Sequence, residues 1–155
     1  MIQRIQSIYL LLTTILSVLF LSGNIISFTD PSGTIIVMTL KGVMRMTEAS
    51  DADNPGNLLP VIIMTMSIAL ISFLTIFLYG KRSLQIRLTI GLLILTIVMI
   101  FILAGYVVYI MSKFDAELVA GIKIIIPLLM AVCIYLAYRG IKKDDDLVRS
   151  FDRLR

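Results

Sequence analysis

The chain has 155 residues, of which 59% are hydrophobic and only 15% charged, with a net charge of +4. An ordinary soluble domain is about 45–50% apolar and about 25% charged, and a body this small has too few polar residues to cover its surface. These numbers exclude a soluble globular protein, a disordered tail and a secreted disulfide scaffold.

The charges fall so as to leave long apolar stretches between them. No charge lies between Arg4 and Asp30, between Asp53 and Lys81, or between Arg87 and Lys113. Each interval exceeds the roughly 20 apolar residues that a helix needs to cross a bilayer core. Spans are expected near Ser7–Ile26, Pro60–Leu78 and Leu88–Ile110. The first is too long for a signal-peptide core and is followed by no Ala-x-Ala site, so a retained helix is expected.

Between the first two spans lies the longest polar segment, 30–57. Asp30-Pro31-Ser32-Gly33 fits a type I turn. The β-branched run Thr34–Leu40 reads as a strand, and Lys41-Gly42 turns it toward a second, Val43–Thr47. Ile25–Thr29 is available as a third. An open sheet edge cannot sit in lipid, so this hairpin or meander belongs at the membrane surface or against a partner. Glu48–Asn57 then reads as an acidic linker.

Spans two and three form a hairpin through the short basic loop 79–86, and the loop 111–121 is also short. The fourth span is less clean, because only Ile124–Tyr138 is free of charge. Starting near Leu118 makes it long enough if the Lys123 stem snorkels to the interface; a re-entrant segment is the alternative. The segment 141–155 reads as a separate amphipathic tail helix. Asp144–Asp146 supply its N-cap, Leu147, Val148, Phe151 and Leu154 its apolar face, and Asp145 with Arg149 a favourable pair. Such a helix lies on the inner leaflet or docks on another protein.

The expected fold is thus all-α and integral to a membrane. It is a four-helix bundle in residues 1–140, with a small sheet after the first helix and a tail helix at the end. Ten of the fourteen basic residues fall on one side: Arg4, Lys81, Arg82, Arg87, Arg139, Lys142, Lys143, Arg149, Arg153 and Arg155. Lys41, Arg45, Lys113 and Lys123 fall on the other. By the positive-inside rule both termini are cytoplasmic. Tyr9, Tyr79, Tyr109 and Tyr138 sit near span ends, as an aromatic belt requires. The basic balance needs no nucleic-acid partner.

Residues suited to chemistry are few. There is no histidine, and the single cysteine, Cys133, forms no internal disulfide, redox pair or zinc site. No phosphate loop or nucleophile elbow is present. No catalytic, cofactor or metal residue is therefore expected. Within the spans, Thr13 with Ser17 and Thr65 with Ala69 are small-xxx-small pairs that allow close helix packing. A polar path among Ser17, Asn24 and Ser67 is the alternative use of such residues. Pro127 frees the carbonyl four residues earlier, that of Lys123, so a kink there is a further candidate for an anion site. The methionines, Met44, Met46, Met64 and Met66 among them, read as core filler.

The opening Met1-Ile2-Gln3-Arg4-Ile5-Gln6-Ser7-Ile8-Tyr9-Leu10 and the closing Ser150-Phe151-Asp152-Arg153-Leu154-Arg155 together resemble a family of small inner-membrane proteins from one group of Gram-negative bacteria, domain of unknown function 4293. The resemblance runs the full length and implies four spans, two cytoplasmic termini and no known activity. It directs attention to Arg4, Asp152, Arg153 and Arg155 as binding residues; Leu147, Phe151 and Leu154 of the tail face join them as candidate partner or lipid contacts. The expected role is a non-enzymatic subunit that associates with itself or another membrane protein. A small transporter or lipid-handling protein is the alternative.

Overall fold

The computed structural model describes residues 3–22, 24–29, 35–39, 42–45, 58–78, 81–114, 117–119 and 121–152. The elements follow in the order α1 (Gln3–Leu21), β1 (Asn24–Thr29), β2 (Ile35–Thr39), β3 (Gly42–Arg45), α2 (Leu59–Phe77), α3 (Arg82–Phe114), β4 (Glu117–Val119), a 3-10 turn (Ile122–Ile124) and α4 (Ile125–Asp152). The chain is mostly helical. Around the helical body, α1 packs on α2 and α4, and α3 packs on α2 and α4.

One spacing explains this packing. The buried residues of α1 are Gln6, Leu10, Thr13, Ser17 and Phe20, and those of α2 are Val61, Thr65, Ile68, Ser72 and Thr75. In α3 they are Gln85, Thr89, Leu92, Thr96, Met99, Leu103 and, two turns on, Ile110, and in α4 Pro127, Met130, Ile134, Ala137, Ile141 and Asp144 recur in the same way. Alternating steps of three and four residues keep a stripe on one face of a helix that lies alongside its neighbours.

The stripes mix apolar side chains with an unusual number of hydroxyls. Seven of the buried side chains, those of Thr13, Ser17, Thr65, Ser72, Thr75, Thr89 and Thr96, carry hydroxyls. The outward faces instead present Ile8, Leu11, Val18, Ile63, Leu70, Phe77, Ile94, Phe101, Val108 and Val132, all at least half exposed. Lipid tails are as apolar as leucine, so small and hydroxyl-bearing residues go inward where helices meet. Three helical segments are long and apolar enough to cross a membrane: Leu59–Phe77, Arg82–Lys113 and Ile125–Val148. The apolar part of α1, Ile5–Leu21, is shorter.

The sheet has the order β3-β2-β1-β4. β1 runs antiparallel to both neighbours, with Ser27 opposite Val37 on one side and Val119 on the other. Ile26 and Phe28 of β1 and Met38 of β2 join the same apolar core as Leu58 and Ile110 of the helical part. The period-two alternation of β1 thus turns one face of the sheet onto the ends of the helices. Three of these strands match the expected meander. β4 does not, since a loop was expected there; three residues are too few to display an alternating pattern.

Several expected boundaries need correction. α1 stops at Leu21, where both the backbone N–H and the hydroxyl of Ser22 bond to the Leu19 carbonyl, so Asn24–Ile26 belong to β1 and not to the first span. The fourth helix begins at Ile125, not near Leu118, because Glu117–Val119 pair with β1 instead. Pro127 is the third residue of α4. Its missing N–H falls in the first turn, where no intrahelical partner is required, so it makes no kink beside Lys123.

α4 also runs unbroken to Asp152. The expected N-cap at Asp144–Asp146 and the separate tail helix are therefore replaced by one helix. Gly140 is the weakest helix former in 139–146, and a single glycine costs about 1 kcal/mol, too little to end a helix packed on its neighbours. The turn expected at 30–33 and the linker at 48–57 lie outside the described residues.

Candidate functional site

Away from the sheet, polar side chains gather where the helices end. Gln6 of α1, Gln85 of α3 and Asp144 of α4 are each more than nine-tenths buried. The Gln6 side-chain amide donates to the Asp144 carboxylate, across 138 residues of sequence. Arg82 donates from its guanidinium to the backbone carbonyl of Asp144 at 3.3 Å. The Gln85 amide donates to the Thr75 carbonyl of α2 at 3.3 Å. All four helices are tied together in this layer.

Local sequence positions each member. Gln6 is the first residue of the buried stripe of α1, four before Leu10. A Cβ at Gly140 would come within 2.9 Å of the Gln6 Cγ, so the glycine gives the glutamine stem its room. Asp144 lies one turn beyond Gly140 and points back to the same helix. The Lys81 carbonyl, which accepts the N–H groups of Leu84 and Gln85 at 3.0 Å, starts α3 so that Arg82 reaches α4 and Gln85, one turn on, reaches α2.

Toward the middle, the Ser72 hydroxyl donates across helices to the Leu10 carbonyl at 2.8 Å. Thr65 donates to its own Val61 carbonyl at 2.7 Å and lies 3.2 Å from the Met99 sulfur. Thr13, Ser17, Thr89 and Thr96 each bond the carbonyl four residues earlier. Among the described residues no buried side-chain nitrogen or oxygen lacks a partner. At the far end, the Lys123 ammonium donates to the Ser22 carbonyl at the end of α1.

The residues singled out from sequence are dispersed. Ser17 is buried and bonded to Thr13, whereas Asn24 is exposed at the start of β1. Ser67 bonds the Ile63 carbonyl, about 200° around α2 from the buried Thr65. The structure therefore does not bring Ser17, Asn24 and Ser67 onto one face. Lys123 does meet α1, but as a backbone tie. Leu147 is exposed and lines a groove of about 510 Å³ with Arg139, Lys142, Lys143 and Asp146. Arg4, Phe151 and Asp152 lie in helices, and their side chains fall outside the described residues, as do Arg153, Leu154 and Arg155 altogether.

Sequence reasoning missed the joint. Its signal was two amides, Gln6 and Gln85, each in register with the hydroxyl stripe of its own helix. Asp144, one of three consecutive aspartates, reads locally as a cap, which hides its tertiary partner Gln6.

The arrangement defines a helical protein whose apolar outer surface suits a lipid environment and whose polar groups connect helices. The chain belongs to the family described as Domain of unknown function (DUF4293), whose model matches residues 2–154. No curated protein and no solved structure matches it.

Proposed function

We propose that this is a four-span membrane protein of the bacterial inner membrane, a four-helix bundle with both termini in the cytoplasm, acting as a non-catalytic accessory subunit of a membrane complex. That α1 is a span beside the three longer apolar helical segments is supported by the way it meets α4. α1 leaves Asp144 at Gln6 and reaches Lys123 at Ser22, so it runs antiparallel to α4 over the same depth. About 24 Å of helix separates Gln6 from Ser22, and the ends of this short span are completed by polar groups. The basic termini and the basic 81–87 turn then share the cytoplasmic side.

The observation that carries the accessory role is the use made of the polar side chains. Gln6, Ser72 and Gln85 each donate to another helix, so the scarce polarity serves assembly. Beyond Asp144, α4 offers exposed Leu147 and Val148 to a partner. Affinity purification of the full chain from native membranes in mild detergent, with mass spectrometry, tests this. A stoichiometric membrane partner that is lost on deleting residues 147–155 is expected. A partner set unaffected by that deletion contradicts docking through the tail, and a chain recovered alone contradicts the subunit reading.

A further inference from the structure

The outer face of α4 carries one stripe that changes character along its length. Leu128, Val132 and Tyr135 are each at least half exposed. Continuing in the same steps of three and four, the stripe reaches exposed Arg139, Lys142 and Lys143. These three cations line the groove of about 510 Å³, whose one acid is Asp146.

The geometry points to a binding site for an anionic phospholipid, its phosphate held by Arg139, Lys142 and Lys143 and one acyl chain laid along Tyr135, Val132 and Leu128. Length supports a lipid over a free anion. From Leu128 to Arg139 the helix rises about 16 Å, close to the half-thickness of a core of about 30 Å. Charge supports an anionic headgroup over a zwitterionic one, because three cations face one carboxylate. Arg139 and Lys143, one turn apart, can share a phosphate, with the planar guanidinium supplying paired donors. The apolar half of the stripe leads directly into the cationic half, as a chain leads into a headgroup. This site rests on α4 crossing the membrane.

The test uses the full chain in nanodiscs and in detergent, with dioleoyl phosphatidylglycerol, dioleoyl phosphatidylcholine and inorganic phosphate as probes. Native mass spectrometry of lipid-loaded protein should retain phosphatidylglycerol over phosphatidylcholine by about tenfold or more, given roughly 1 kcal/mol for each cation near a lipid surface. The variant Arg139→Gln/Lys142→Gln/Lys143→Gln should bring the two within about twofold, while Lys142→Arg/Lys143→Arg keeps the preference. Excess inorganic phosphate should not displace the lipid. Equal retention of the two lipids, or a preference that survives the triple substitution, overturns the site. Displacement by phosphate alone overturns the lipid assignment in favour of a free anion. A chain that alkaline carbonate strips from membranes overturns the membrane reading itself, an outcome distinct from an inserted chain without lipid preference.

Discussion

α1 and α4 are joined at both ends, and the two joints are made of different materials. At the sheet end the connection runs chiefly through the main chain, where β1 pairs with β4, and the Lys123 side chain adds one tie to the Ser22 carbonyl. At the other end it runs through side chains, with Gln6 on Asp144, Gly140 making room, and Arg82 on the Asp144 carbonyl. A main-chain ladder is offered by almost any residue that tolerates a strand. A side-chain joint needs particular residues at particular depths, and a loss on one side leaves a buried polar group unpaired. Substitutions should therefore be tolerated at the sheet end and costly at the other.

The largest effect is expected at Gly140. Gly140→Leu drives a branched side chain into Gln6 and should destabilise the protein by about 2–3 kcal/mol, as overpacking does. Thermal unfolding in detergent, followed by circular dichroism, reads this directly; an unchanged transition would break the contrast between the ends. Asp144→Ala follows, at about 1–3 kcal/mol, because it strands the Gln6 amide. Asp144→Asn keeps an acceptor and should recover most of that loss in the same assay. An Asn variant as damaged as the Ala variant would mean that the charge, and not the hydrogen bond, matters.

Smaller effects should follow away from this layer. Ser72→Ala removes one interhelical bond to Leu10 and should cost about 0.6 kcal/mol, the average for such bonds in membranes. Lys123→Met leaves the β1–β4 pairing in place and should change stability by no more than about 0.5 kcal/mol. A loss at Lys123 that matches the loss at Asp144 would show that the two ends are equally specific.

The same contrast explains what could be read from the sequence. The apolar stretches were legible because lipid demands continuity, and a break of even one charge is visible. β1 and β2 were legible from β-branched runs. The boundaries failed where a few residues had two uses: the segments Asn24–Ile26 and Glu117–Val119 adjoin apolar runs that a helix could extend into, and only pairing, of Asn24 and Ile26 with β2 and of Glu117–Val119 with Ser27–Thr29, decides for a strand. The candidate site was less legible. Gln6 and Asp144 are separated by nearly the whole chain, and nothing in either neighbourhood names the other. Asp144 with two further aspartates looked like a cap because caps are local, whereas its partner is tertiary. The depth shared by α1 and α4 emerges only when both joints are known.

The account turns on α1 crossing the membrane beside α4, and cysteine labelling measures that most directly. On a Cys133→Ser background, single variants Gln3→Cys, Ile35→Cys and Lys142→Cys are exposed to a membrane-impermeant maleimide in sealed right-side-out vesicles. The four-span arrangement predicts that Ile35→Cys is labelled at once, and that Gln3→Cys and Lys142→Cys are both labelled only after the vesicles are opened. Labelling of Gln3→Cys and Lys142→Cys from opposite sides would contradict it.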